Sequence, residues 1–139
     1  MEIVRSGDLV IVKVSHEDLS AAATSETLVV EGVIPRNHIV QGLFAEIEEA
    51  FDGDIPQLSV TSFSSEYVYL NTVSVSSLVK VFAPVLSDDG GAFSQLIMGS
   101  EEFSRSESMD LNFNFSLNSG TIAAITTGEL VISFKLIEF

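Results

Sequence analysis

The chain has 139 residues, 46% of them hydrophobic, with 6 basic against 20 acidic side chains and no cysteine. A net charge of −14 disfavours direct nucleic-acid binding, which draws its energy from Lys and Arg displacing counterions, and the lack of thiols excludes cysteine catalysis and thiolate metal sites. One domain of this length buries roughly two thirds of its unfolded surface, and ten phenylalanines supply a core without a disulfide or metal staple.

Residues 1–14 carry no long apolar run followed by a small-residue cleavage site, so no secretory signal is read there. No apolar run approaches the ~18 residues of a membrane-spanning helix. The expectation is a soluble, cytoplasmically made protein with no membrane partner. Leu9 to Val14, rich in β-branched residues, predicts a first strand. The alanine-containing run from Ser15 to Ser25 is too short for more than one helical turn. Thr27 to Glu31 predicts a second strand, and Pro35, which lacks an N–H, belongs at a strand boundary.

Ile39 to Phe51 is ambiguous. Ile39, Leu43, Ile47 and Phe51 recur every four residues with Val40 and Phe44 beside them, an amphipathic-helix pattern. A strand satisfies the same spacing, because four is a multiple of two, but it places Glu49 on the apolar face. The pattern by itself favours the helix. Phe51-Asp52-Gly53-Asp54 reads as a turn. Leu58 to Thr61, Tyr67 to Leu70 and Val79 to Val85 read as short strands, with Pro84 marking an edge or a bulge.

Asp88 to Gly91 reads as a loop, and the serine-rich stretch from Glu101 to Met109 as a mobile connection. Leu111, Phe113, Phe115 and Leu117 alternate with Asn112, Asn114 and Ser116, the cleanest period-two pattern in the chain. Leu130, Ile132, Phe134 and Leu136 repeat it, with Asn118-Ser119-Gly120 and Thr127-Gly128 spacing these last strands at hairpin distances. Such alternation predicts a two-layer, all-β core in a single domain spanning residues 1–139.

Signals for chemistry are sparse. His16 and His38 lack partners at a metal-ligand spacing. Asp52, Asp54, Asp88 and Asp89 offer oxygens suited to calcium, but the full calcium-loop signature is missing. Glu46, Glu48, Glu49, Glu101 and Glu102 invite a paired-carboxylate glycosidase reading, although runs of like charge more often mark a solvated face. No nucleophile elbow or phosphate-binding loop occurs. Tyr67 and Tyr69 share a strand face and suggest a sugar-stacking platform. Neither an enzyme nor a cofactor is expected. At the C-terminus, Val131, Ile137 and Phe139 lie on the face opposite Leu130 and Leu136, so both sides of the last strand are apolar. Such a strand is interior to a sandwich or lies against another subunit, which makes these three residues candidates for an oligomer or capsid interface.

Several segments, in order, resemble a group of tailed-bacteriophage virion proteins. They are Asp18 to Ser25, Val33-Ile34-Pro35, Ala50-Phe51-Asp52-Gly53, Leu58-Ser59-Val60, and Thr127 to Ile132. The resemblance implies a jelly-roll-like antiparallel β-sandwich with no catalytic residues, and it makes Ile39 to Phe51 a long strand. Asp88 to Met109 departs from it, being longer and less regular than the group's pattern. The role implied is a capsid decoration, or cement, protein on the outer surface of the virion. Its partners would be the major capsid protein and a closed homo-oligomer, with a trimer favoured. A tail, neck or fibre component and a carbohydrate-binding sandwich are the alternatives.

Overall fold

Hydrophobic alternation becomes strand wherever it is clean. The computed structural model describes residues 1–63, 68–84 and 108–138, with side chains at all of these but 82–84. Among the described residues the strands are β1 (Glu2–Ser6), β2 (Leu9–Ser15), β3 (Ser25–Ile34), β4 (His38–Glu49) and β5 (Gln57–Ser62). They continue with β6 (Val68–Ser74), β7 (Lys80–Pro84), β8 (Met109–Ser116) and β9 (Glu129–Glu138). The alanine-containing run after β2 forms one 3-10 turn, His16–Asp18. Asp88 to Gly91 and residues 101–107 lie outside the described residues, and Met109 opens β8.

Pairing is antiparallel and nested: β2 with β9, β3 with β8, β4 with β7, β5 with β6. This is a long hairpin rolled up on itself. The contacts β4–β9 and β5–β8 close it into a five-stranded sheet, β1-β2-β9-β4-β7, and a four-stranded sheet, β3-β8-β5-β6. That order is the jelly-roll arrangement of the antiparallel β-sandwich. It corrects one expectation: β8 and β9 belong to different sheets and form no hairpin, so the segment from Leu117 to Gly128 crosses between layers. β1 was not anticipated. It extends the larger sheet, and its Arg5 guanidinium donates to the carbonyls of Gly32 (2.8 Å) and Val33 (3.2 Å), tying one sheet to the other. Pro84 lies on β7, an edge strand, where its missing N–H breaks no ladder.

One core lies between the sheets. Val10, Val12 and Val14 of β2 and Leu130, Ile132, Phe134 and Leu136 of β9 meet Leu111, Phe113 and Phe115 of β8 across the gap. The rings of Phe113 and Phe134, one from each layer, sit 6.2 Å apart at 48°.

β4 is a strand, as the resemblance implies and against the helical pattern. Its apparent four-residue period has a physical cause. Two bulges interrupt the ladder with β9, one between Val40 and Gly42 and one between Ile47 and Glu49. Each inserts a residue and shifts the inward phase by one. Val40 therefore takes the core position opposite Leu136, and Ile39, opposite Ile137, falls on the outer phase of the strand, where its neighbours cover it to 7% exposure. The second bulge turns Glu49 away from the core, and its carboxylate accepts the Gly128 N–H at 2.9 Å.

Candidate contact surface

Alternation along each strand decides what the five-stranded sheet shows to the outside, and the register aligns those residues in rows. One row runs Glu2, Lys13, Val131, Glu46, Lys80 across the five strands. The next carries Val4, Ile11, Ser133 and Phe44. A third carries Ser6, Leu9, Lys135 and Gly42, and Ile39 faces Ile137 at the end of the sheet. Val4 and Phe44 are exposed by 39% and 38%, and Leu9 by 37%. Val131, Ile137 and Ile11 are half-buried by their neighbours.

This places Val131 and Ile137 together on the outer face of the strand that runs through the middle of the larger sheet. Phe139 lies outside the described residues. Sequence reasoning missed Val4, Leu9, Ile11, Ile39 and Phe44. A signal did exist at β2, where both phases of Leu9 to Val14 are apolar except Lys13. Ile39 and Phe44 were hidden by the bulges.

Charge is distributed unevenly. All three lysines of the chain, Lys13, Lys80 and Lys135, stand on this face, two of them beside carboxylates. Lys80 Nζ lies 3.6 Å from Glu46 Oε1, and Lys135 pairs with Asp8 of the β1–β2 turn, whose carboxyl is held below its usual range chiefly by that hydrogen bond. A further row, Ser15, Glu129 and Glu49, adds two carboxylates at one end, so three lysines stand against five acids and the face is only mildly acidic on a chain of charge −14. The outer face of the smaller sheet is a ladder of amides and hydroxyls. There Thr27 donates to Asn114 Oδ1 (3.0 Å), and Asn114 Nδ2 donates to Thr61 (3.1 Å) and Ser59 (3.3 Å).

The remaining candidates are scattered. Glu46, Glu48 and Glu49 follow one another along β4 without forming a cleft, and Glu101 and Glu102 lie outside the described residues. Tyr69 is packed into the core at 4% exposure, so it offers no ring to a sugar; Tyr67 lies outside the described residues. His16 Nδ1 is buried without a partner among the described residues, and His38 Nδ1 sits 2.8 Å from the Arg36 carbonyl. No group of three or more metal-ligating side chains occurs among the described residues.

Asp52 and Asp54 turn their oxygens onto donors of the segment between β8 and β9. Asp52 accepts from the Thr126 hydroxyl (2.6 Å) and from the N–H groups of Thr126 (2.8 Å) and Thr127 (3.2 Å). Asp54 accepts from Ser119 Oγ (2.7 Å) and Asn118 Nδ2 (3.1 Å). The Thr126 hydroxyl bond, followed by the backbone donors, holds the Asp52 carboxyl below its usual range, and the Ser119 bond does the same for Asp54.

The sign of the pH effect follows. Where the unfolded chain binds more protons than the folded one, stability rises with pH. Both carboxylates therefore contribute their full stabilisation above the unfolded Asp pKa and lose it as pH falls through the lowered folded values. Thermal melts taken down that range should show a steeper acid loss for the wild type than for Asp52→Asn. Equal slopes would mean that the Asp52 clamp is not formed.

Comparison with protein-family models, with curated proteins and with solved structures finds no match for this chain.

Proposed function

We propose that the protein is a structural part of a tailed-bacteriophage particle, a decoration protein on the outer shell that bridges neighbouring capsomers. The observation that carries this reading is the outer face of the five-stranded sheet, half apolar and only mildly acidic, on an otherwise strongly acidic jelly roll. A surface of that composition loses little by being covered, whereas the rest of the molecule favours water. The ordered segments that resemble virion proteins agree with it, and so does the charge. A protein of −14 sits unfavourably beside packaged DNA and favourably on the solvent side of a shell. Cement proteins work by binding a surface that only the assembled shell presents, which stabilises the shell by mass action.

The test is direct. Purified protein added to expanded empty shells should co-sediment with them to saturation and raise the temperature at which they break open. Absence of shell binding, with recovery of the protein only from detached tails, would overturn the reading in favour of a tail or neck component.

A further inference from the structure

The geometry points to a second copy of this chain as the partner on the outer face of the five-stranded sheet, packed face to face about a twofold axis running close to β9. This assignment rests on the reading of that face as the contact surface of an assembly protein; with a second copy on it, the dimer meets the shell through its remaining surface. A dyad along β9 reverses the strand order across the interface, so β2 lies over β4 and β1 over β7 of the second copy. The row Glu2, Lys13, Val131, Glu46, Lys80 then meets its own reverse. Glu2 falls opposite Lys80, Lys13 opposite Glu46, and Val131 opposite Val131. Every charge in the row meets its opposite, twice over by symmetry.

The neighbouring row sets Ile11 against Phe44 and Ser133 against itself, and Ile137 meets Ile137 with Ile39 beside it. Lys135 meets its equivalent with Asp8 of its own chain next to each, and at the end of the sheet Glu129 meets its equivalent, the one row in which the dyad leaves like charges together. A pattern that is complementary to its own reversal is what an isologous contact requires; a threefold arrangement gives it no use. Sheets stacked in this way lie about 10 Å apart with strands crossing at about 30°. The face spans about 24 Å across five strands and about 33 Å along β9. Because β1 and β7 are only half as long as β9, the face projects about 600 Å², below the ~800 Å² per partner of an ordinary stable interface. Exposed ion pairs add little affinity individually, so the apolar rows supply the attraction and the charges set the register.

Sedimentation equilibrium of the purified protein without shells tests the inference. The wild type should have twice the mass of the 15.0 kDa chain. K13E should weaken the dimer on the order of tenfold or more, K13E/E46K should restore it, and V131E should give monomer. A wild-type monomer at high concentration, a trimer, or a dimer indifferent to K13E and V131E would each overturn it. If K13E loses its β circular dichroism, Lys13→Ala and Glu46→Ala take its place, and unchanged dimer affinity in both would count as failure. The two proposals fail separately. A dimer that ignores shells defeats only the decoration reading, and a monomer that binds them defeats only this one.

Discussion

Replacing Gly128 with alanine should cost about 3–5 kcal/mol, a large share of the total stability of a domain this size. A Cβ built on Gly128 would lie 2.3 Å from Cδ1 of Phe51 and 2.4 Å from its Cγ, far inside van der Waals contact. The backbone there has φ of +139°, a conformation that L side chains rarely adopt. Neither side can yield. Gly128 is pinned by its N–H to Glu49 and by its carbonyl, which accepts from the His16 N–H at 2.9 Å. Phe51 is buried, with its ring 5.8 Å from that of Phe115. The expected result is a fall in melting temperature of about 10–20 °C. Gly120 is the matched control. Its φ of +87° is also left-handed, but nothing lies within 4 Å of an added Cβ. Gly120→Ala should therefore lose only about 1–2 kcal/mol from backbone strain. If the two variants melt together, Phe51 is not packed over Gly128.

Phe134→Ala should cost about 3–5 kcal/mol, measured by urea unfolding, and Phe113→Ala a similar amount. Both rings have 0% exposure, and they meet across the gap between the two sheets. Removing either leaves a cavity that strands hydrogen-bonded on both sides cannot collapse to fill. The double variant should lose about 0.5–1.5 kcal/mol less than the sum, the coupling between tilted aromatic rings. Strict additivity would mean that the layers do not meet at these residues. A loss under about 1 kcal/mol for Phe134→Ala would mean that β9 faces the other way.

Much of this architecture can be read where one rule acts alone. β8 alternates strictly because one face is core and the other is an amide ladder, so Leu111, Phe113 and Phe115 announce their burial. β4 resists such reading because it obeys two rules at once. Each bulge slips the period-two pattern by one residue, and two slips in twelve residues imitate the spacing of a helix turn. β1 was invisible for a different reason. All five of its residues are exposed, and it is held by backbone pairing and by Arg5, neither of which leaves a hydrophobic rhythm. Val131 and Ile137 stood out because they are apolar on the unexpected phase of a clear strand. Their companions on β1, β2 and β4 come beside them only through register, and local sequence does not encode register across strands so far apart in the chain.

The nested pairing also governs how the protein is made. Leu9 finds its ladder partner in Lys135, and Ser25 finds its own in Ser116. A ribosome must therefore deliver nearly all of these residues before β2 has any partner but the short, exposed β1. Until then the N-terminal segments wait with bare edges and uncovered valines, so folding begins late, closes long loops and proceeds slowly. Chaperone demand should consequently be concentrated in the interval between synthesis of the first strands and release of the last.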